Sequence, residues 1–218
     1  MDNTYSMKVN VFSVNPFEMN CYVYFDEISG EGIIIDPGAS NTTEEEAITD
    51  FIKENKVRIK YIVNTHGHID HILGNKWAKD TFKVPIMMHK DDLELLKNSK
   101  EQGAEFGWSF PELPSPDIFI SQNDIIKFGN CTLKVLHTPG HSPGGICLVD
   151  EQERIIFAGD TLFRDSIGRT DLWNGSMDEL LDSIKNKIFK YDDDYIIYAG
   201  HYNSTTIGEE KANNPFLK

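Results

Sequence analysis

Short apolar runs separated by turn residues dominate the first third of the chain. Residues 9–14 and 21–25 are rich in β-branched and aromatic side chains, and a third run, residues 32–35, ends at Asp36-Pro37-Gly38. Residues of this kind favour tight connections between neighbouring strands. The pattern therefore predicts three strands that are linked by hairpins.

A helical spacing of apolar residues begins after this turn, over residues 43–55. Apolar side chains recur there at intervals of three and four residues, a threonine forms the N-terminal cap, and glutamates occupy the first turn, where the helix dipole favours negative charge. Beyond this helix, strand-like runs and helical spacings of apolar residues alternate. They predict a strand, a helix, a strand and a helix over residues 61–63, 72–79, 84–88 and 91–98, respectively.

The stretch from residue 99 to residue 116 breaks both patterns. Its glycines and prolines rule out a long regular element, and Phe106, Trp108 and Phe110 place aromatic rings within it. Such a loop can form a lid whose rings line a substrate groove, or it can bury those rings against the core. Both alternatives are compatible with the sequence.

Three predicted strands in the second half are each followed by a histidine or an aspartate. They cover residues 133–136, 155–159 and 195–200, and an amphipathic helix over residues 177–189 precedes the last of them. The segments IIFAGD and IIYAGH resemble each other, which indicates equivalent places for their last residues, Asp160 and His201. Open α/β sheets assemble their sites at the carboxyl ends of strands, so we expect these side chains to converge on one crevice.

The densest chemistry lies in the six residues His66-Gly67-His68-Ile69-Asp70-His71, directly after predicted strand 61–63. Three imidazoles and a carboxylate this close together cost desolvation and repulsion unless a cation offsets them. In an extended loop, residues two apart point the same way. We therefore expect His66 and His68 to bind one metal ion, while Asp70 and His71 face a neighbouring one.

Seven side chains complete the predicted site. The first ion takes His66, His68 and His141, the second takes Asp70, His71 and His201, and Asp160 bridges the two. Nitrogen and oxygen donors suit zinc, with iron or manganese as alternatives, so the prediction is two divalent ions. Such a pair activates a bridging hydroxide for hydrolysis, and Asp70 is the predicted catalytic residue that orients it. The sequence identifies no substrate-binding residue.

The charge and the cysteine content of the chain limit the binding partners and the cellular location that we expect. The 218 residues carry a formal charge of −14, which repels nucleic acid and anionic membranes and leaves a small molecule as the expected substrate. Three cysteines lie far apart without a C-x-x-C pair, so we expect buried thiols and no disulfide framework. Residues 1–6 are polar and show no signal sequence, and the expected location is cytoplasmic. The oligomeric state stays undetermined.

Four segments together resemble the metallo-β-lactamase superfamily. They are THGHIDH at 65–71, TPGHSPG at 138–144, FAGDTLF at 157–163 and AGHYNSTTIGEEKANNPF at 199–216. The run GRTD at 168–171 and the tail from residue 205 are similar to the glyoxalase II branch, the hydroxyacylglutathione hydrolases. This resemblance implies a four-layer αββα sandwich, two mixed sheets flanked by helices, in one hydrolase domain over residues 1–218. It also implies thioester hydrolysis, with no separate C-terminal glutathione-binding domain.

Two other activities are compatible with the same residues. The GRTD run is also similar to persulfide dioxygenases, oxidoreductases that use one iron at positions of the His66, His68 or His141 and Asp160 type. A metal-dependent lactonase is the second alternative. The remaining imidazoles, His89 and His137, fit none of the ligand places, and we expect structural or supporting roles for both.

Overall fold

The first of two six-stranded sheets is built from the N-terminal half of the chain. The protein is described here by a computed structural model covering residues 6–108 and 112–218. The strands of this sheet, in spatial order, are β1 (Met7–Val14), β2 (Met19–Asp26), β3 (Glu31–Ile35), β4 (Arg58–Val63), β5 (Ile86–Met88) and β6 (Ile118–Phe119). β1, β2 and β3 pair antiparallel, which confirms the predicted hairpins, and the later pairs are parallel.

The second sheet comes from the C-terminal half and is also mixed. Its strands are β7 (Ile125–Phe128), β8 (Cys131–His137), β9 (Ile146–Asp150), β10 (Ile155–Gly159), β13 (Ile196–Ala199) and β14 (Thr205–Thr206). Their spatial order is β14-β13-β10-β9-β8-β7, in which only the β10–β13 pair is parallel. A small hairpin, β11 (Leu162–Phe163) with β12 (Ser166–Ile167), follows β10.

Seven α-helices accompany the sheets in the described ranges. They are α1 (Thr42–Glu54), α2 (Ile69–Ile72), α3 (Asn75–Phe82), α4 (Leu93–Lys97), α5 (Ser99–Glu105), α6 (Met177–Asn186) and α7 (Ile207–Asn213). Two 3₁₀ helices span Lys90–Asp92 and Ile188–Lys190. None of the helices described is both long and apolar enough to cross a membrane.

Alternation of side chains along the strands creates the layers. Tyr22 and Tyr24 of β2 point between the sheets and pack with Phe157 of β10, whereas Val23 points to the outer face and packs with Ile48 of α1. Side chains of the second sheet alternate in the same way, and those on its outer face pack against α6. The result is helix, sheet, sheet, helix, which confirms the expected four-layer αββα sandwich.

Some predicted boundaries are wrong in detail. Asn41, and not a threonine, caps α1, because its side chain accepts the amide N–H of Glu44. The irregular stretch expected from residue 99 begins as helix α5, since Gly103 is tolerated within a helix that packs against α2 and α4. The predicted helices over 72–79 and 91–98 are each divided into two shorter helices. Residues 1–5 and Phe110, which entered the predictions, lie outside the described ranges.

Parallel pairing of β10 with β13 aligns the two similar segments found in the sequence. Ile155, Ile156 and Phe157 lie opposite Ile196, Ile197 and Tyr198, and the register then shifts by one residue at Gly159. β8 runs in the same direction, because β9 is antiparallel to both β8 and β10. The carboxyl ends of these three strands therefore meet at one edge of the sandwich, as predicted.

Candidate metal centre

Two loops bring the first three donors together. The first ligand loop, residues 64–68, joins β4 to α2, and the second ligand loop, residues 138–145, joins β8 to β9. Potential ligand atoms of His66, His68 and His141, the first donor set, lie within 4.8 Å of one another, and all three side chains are buried. His68 Nδ1 is 2.8 Å from His141 Nε2.

The second donor set consists of Asp70, His71 and His201, whose ligand atoms also lie within 4.8 Å of one another. Asp70 Oδ2 is 3.1 Å from His201 Nε2 and 3.6 Å from His71 Nε2. The structure thus brings together the side chains of each predicted group of three, and ligand atoms of Asp36, His66 and His71 form a further group within the same distance. It does so at one edge of the sandwich, where α2 carries Asp70 and His71.

Asp160 lies between the two donor sets. Its Oδ2 is 3.5 Å from His141 Nε2, in the first set, and 3.6 Å from His201 Nε2, in the second. Its Oδ1 is 3.3 Å from His71 Nε2. This central position is the one that a bridging carboxylate requires. All seven predicted side chains are therefore in one place.

Unpartnered polar atoms indicate how well these residues fit a cation. In the described part of the chain, four buried side-chain atoms lack a hydrogen-bond partner: His66 Nε2, His68 Nε2, His71 Nε2 and Asp160 Oδ1. Each such atom costs roughly 1–3 kcal/mol when nothing compensates it. All four belong to the seven predicted ligands. Because His68 directs Nδ1 toward His141, the atoms of His66, His71 and Asp160 are the three that a cation at the centre can satisfy, and divalent cations fit this donor set.

Hydrogen bonds on the far side of the rings orient the imidazoles. His71 Nδ1 donates to Asp36 Oδ2 at 2.9 Å, His141 Nδ1 to the Arg169 carbonyl oxygen at 2.7 Å, and His201 Nδ1 to the Phe17 carbonyl oxygen at 3.1 Å. Each bond places the proton on Nδ1 and leaves the Nε2 lone pair for the centre. Histidines that bind metals are commonly held in this way.

Asp36 is a further functional residue, although its Asp-Pro-Gly run predicts only a turn. It is buried and accepts hydrogen bonds from the Thr65 amide at 2.7 Å, from Thr65 Oγ1 at 2.6 Å and from His71 Nδ1. Thr65 Oγ1 in turn lies 3.1 Å from His66 Nδ1. One carboxylate thus supports a ligand in each donor set. Its place at the end of β3, beside the end of β4, is the signal that could have identified it.

Two glycines allow the close approach of the strands that carry Asp160 and His201. A Cβ atom on Gly200 would lie 2.1 Å from Asp160 Oδ1 and 2.7 Å from His71 Cε1. Gly159 has a φ of +49°, and a Cβ atom there would lie 2.4 Å from Thr65 Oγ1. A larger residue at Gly200 would displace a predicted ligand, and one at Gly159 would displace Thr65, so packing requires glycine at both positions.

Burial keeps two histidines of the first donor set neutral. It lowers the pKa of His68 to about 3 and that of His66 well below its usual value, and neighbouring imidazoles lower both further. Removing a charged ring from water is costly, and no carboxylate close to these rings offsets that cost fully. Both side chains are therefore ready to donate a lone pair at neutral pH.

The second donor set behaves in the opposite way. Burial opposes protonation of His71, but Asp160 and Asp70 outweigh it and raise the pKa well above its usual value. For His201, burial is likewise outweighed by the hydrogen bond to Asp70, and the pKa is raised. Burial acts to raise the pKa of Asp160, yet His71 holds it well below its usual range. The carboxylates of this set therefore favour positive charge on the neighbouring imidazoles.

We expect the second donor set to lose its ion first when the pH falls. The raised pKa values of His71 and His201 favour their protonated forms, which must release a proton to bind a metal, whereas the lowered pKa values of His66 and His68 favour neutral rings. The apparent affinity of the second ion should rise about tenfold per pH unit for each proton displaced, up to the raised pKa values. Calorimetric titration between pH 6 and 8 in two buffers measures this proton release. Equal pH dependence for both ions would contradict it.

His89 and His137 lie close to the second ligand loop but outside both donor sets. Their rings stack in parallel, with centroids 4.1 Å apart and planes at 9°. His89 Nδ1 accepts the Asp91 amide N–H, and His137 Nε2 donates to the Pro143 carbonyl oxygen at 2.8 Å. Potential ligand atoms of His89, Asp91 and His137 also lie within 4.8 Å of one another, but Asp91 is exposed and one ring nitrogen of each histidine is already hydrogen-bonded. Supporting roles stay the prediction for both histidines.

A cavity of about 370 Å³ opens above the two donor sets. Phe17 and Phe106 form part of one wall, with ring centroids 4.9 Å apart, and Phe163, Trp173 and Tyr202 line the cavity as well. Several of these rings are substantially exposed, including Phe106 at 51% and Trp173 at 40%. Aromatic walls therefore surround the ligand atoms at the floor.

The two alternatives for the aromatic stretch are each realised by one ring. Phe106 lines the cavity, as a groove or lid residue would, whereas Trp108 packs against the cluster that contains Ile69 and Met88. Both rings contact Phe17. Phe110, the third ring of this stretch, is among the residues that are not described.

Comparison with known proteins gives one family. Residues 14–201 match the profile of the metallo-β-lactamase superfamily. The chain is 36% identical to the hydroxyacylglutathione hydrolase GloC of Haemophilus influenzae over 213 residues, which cover 97% of this chain and 98% of the relative. The similarity therefore extends along nearly the full length of both proteins.

Solved structures match over a similar extent. The BLEG-1 B3 metallo-β-lactamase superposes with a TM-score of 0.85 at 33% identity, over 97% of this chain and all of the other. TTHA1623, which was crystallised in a di-iron-bound form, also gives a TM-score of 0.85, at 28% identity over 96% of this chain and all of the other. Proteins of this shape thus include one that was crystallised with two iron ions bound.

Proposed function

This chain belongs to the metallo-β-lactamase superfamily, in its glyoxalase II-like branch, and from that membership and the geometry of its centre we propose a specific activity. The protein is a metal-dependent hydrolase, and its substrate is a small thioester such as a hydroxyacyl-glutathione. The convergence of seven nitrogen and oxygen donors in two sets is the observation that carries this proposal. The similarity to GloC supports the thioester part.

The side chains have separate tasks in this reaction. Zinc, iron or manganese ions bound to the two donor sets would activate water and polarise the substrate carbonyl. Asp70 directs Oδ2 toward His201 and His71, so its other carboxylate oxygen is the acceptor that orients the attacking water. His71 and His141 are held by Asp36 and by the Arg169 carbonyl, which keeps their rings fixed during turnover.

The cavity walls suit the apolar parts of a thioester. Phe106 and Trp173 offer exposed ring faces above the floor, where an acyl group or thiol chain can be removed from water. The charged side chain of Arg169 also lines the cavity, but it forms a two-pronged ion pair with Asp171 at 2.7 Å for both contacts. Apolar contact is therefore the larger part of substrate recognition in this proposal.

We expect Phe106→Ala and Trp173→Ala each to raise the KM for an aryl-substituted hydroxyacyl thioester about tenfold, with little change in kcat. The reason is that a ring which stabilises the bound substrate and the transition state equally affects KM alone. Loss of about 1.4 kcal/mol of apolar contact corresponds to a tenfold rise in KM. Steady-state kinetics with aryl and methyl substrates measure the effect. The methyl substrate should be affected less.

Phe216→Ala is the matched control, because Phe216 is 52% exposed and does not line the cavity. Its KM should equal that of the unmodified protein. Unchanged KM values in both cavity variants would show that the aromatic walls do not bind the substrate.

A substrate comparison tests the proposed function itself. Metal-loaded protein is assayed with a hydroxyacyl-glutathione, a lactone, a β-lactam and glutathione persulfide, the last by dioxygen consumption. We expect kcat/KM for the thioester to exceed that for the lactone and the β-lactam by at least about 100-fold, or ~2.7 kcal/mol in transition-state binding. Dioxygen consumption with iron-loaded protein and no thioester turnover would instead indicate the persulfide dioxygenase alternative.

A further inference from the structure

Asp92 is a fully buried carboxylate whose hydrogen bonds go to residues beside the predicted ligands. It ends the 3₁₀ helix Lys90–Asp92 and has no exposed surface. Its Oδ2 accepts the Gly67 amide at 2.8 Å and Ser142 Oγ at 2.8 Å, and its Oδ1 accepts the Gly144 amide at 2.5 Å. One carboxylate thus joins two segments that are far apart in the sequence.

Those two segments are the ligand loops that carry the first donor set. Gly67 lies between His66 and His68, and Ser142 directly follows His141. The loops are also joined farther back, where the Ile146 amide donates to the Thr65 carbonyl oxygen at 2.9 Å. Asp92 therefore joins the two loops at the positions where they carry the predicted metal ligands.

Packing around Asp92 shows that the loops rest directly on this residue. A Cβ atom on Gly144 would lie 2.7 Å from Asp92 Cγ, and one on Gly67 would lie 3.0 Å from the Asp92 carbonyl oxygen and 3.2 Å from Asp92 Cβ. Glycine at both positions permits this contact. A shift of the Asp92 side chain must consequently move both loops.

We propose that Asp92 is a positioning residue that sets the separation of His66 and His68 from His141, and hence the affinity of the first donor set for its ion. The inference rests on the proposed metal centre. Its physical basis is that three hydrogen-bond donors, the Gly67 and Gly144 amides and the Ser142 hydroxyl, meet at one carboxylate. The two ligand loops therefore cannot separate without leaving buried N–H groups unpaired. None of the three hydrogen bonds described for Asp92 reaches the second donor set.

Asp92→Asn tests the proposal with almost no change in volume. In either orientation the amide NH₂ group faces a backbone N–H, that of Gly67 or of Gly144, and one hydrogen bond becomes a repulsion. We expect the dissociation constant of the first ion to rise about 10- to 100-fold, the range typical for residues that support metal ligands, while the second ion binds normally. Stepwise titration with Zn²⁺, and with Co²⁺ followed by absorbance, measures both constants.

Asp26→Asn is the matched control. Asp26 is also fully buried and accepts three hydrogen bonds, from the Ile28 amide, the Asn130 amide and Asn130 Nδ2, at the opposite end of β2 from the centre. This variant should lose folding stability and keep both metal affinities. His68→Ala, in the first donor set, and His201→Ala, in the second, identify which step of the titration belongs to which ion.

The possible outcomes separate the inference from the function on which it rests. Selective weakening of the first ion in Asp92→Asn supports the inference, whereas unchanged or equally weakened binding of both ions overturns it. If Asp92→Asn does not fold, Ser142→Ala removes one of the three hydrogen bonds to Asp92. This variant should raise the dissociation constant of the first ion alone, by a few-fold. Failure of the unmodified protein to bind any ion contradicts the proposed function instead.

Discussion

Replacing Asp160 with alanine is expected to remove at least one metal ion and to lower kcat/KM for the thioester at least about 1,000-fold, or ~4 kcal/mol. The carboxylate oxygens of Asp160 lie within 3.6 Å of ring nitrogens of His71, His141 and His201. Without it, Asp70 remains beside His71 and His201, but the carboxylate that lies between His141 and these two imidazoles is lost. Elemental analysis and steady-state kinetics on the same preparation measure the two losses.

Asp50→Ala is a suitable control for this variant. Asp50 is exposed on α1 and takes part in an ion pair with Lys53 at 3.5 Å, so its removal should leave metal content and turnover unchanged. Thermal unfolding of both variants excludes a general loss of structure. Full activity of Asp160→Ala with two ions still bound would show that Asp160 does not bridge the donor sets.

Removal of the metal ions is expected to abolish turnover and to destabilise the fold. A ligand present at roughly 1,000 times its Kd stabilises the native state by about 4 kcal/mol. For a chain of this size, that loss corresponds to a fall in Tm of about 8–16 °C. The unpartnered atoms of His66, His71 and Asp160 are the groups whose cost reappears when the ions leave.

Calorimetry before and after treatment with a chelator measures this change. Dialysis against the same chelator saturated with zinc is the control, and subsequent addition of zinc, iron or manganese should restore both Tm and activity. Restoration by one of these metals alone would also identify the physiological ion. Unchanged Tm and turnover in metal-free protein would contradict the assignment of the seven side chains.

The predicted donors could be found from sequence because each follows a strand. His66 to His71 form one dense cluster, and the similar segments ending in Asp160 and His201 mark equivalent strand ends. Because β10 and β13 pair in parallel, the two similar segments also lie side by side in the sheet. Strands that end at the same edge place their next residues together, whatever the remaining packing is.

The supporting carboxylates could not be found in the same way. Asp36 belongs to an Asp-Pro-Gly run that is typical of a turn, and Asp92 follows another aspartate in a charged stretch typical of a solvated helix. Both prove to be buried and to accept three hydrogen bonds each. Only the folded chain shows which backbone amides reach them, because these donors come from distant segments.

Helix boundaries were the least predictable part of the fold. Residues 69–82 form two helices interrupted at Leu73 and Gly74, since Gly74 packs against the turn that follows β3. A Cβ atom on Gly74 would lie 2.3 Å from the Pro37 carbonyl oxygen. Local propensity contains no information about such a contact, and tertiary packing decides the boundary.

The metal content of the protein purified without added metal tests the central claim most directly. The claim is that the two donor sets and Asp160 together bind a pair of divalent ions. Elemental analysis should find close to two equivalents of zinc, iron or manganese per chain, falling to one or fewer in His68→Ala and in His201→Ala. A protein that hydrolyses the thioester while it contains no metal, and binds none when zinc, iron and manganese are supplied, would contradict the claim.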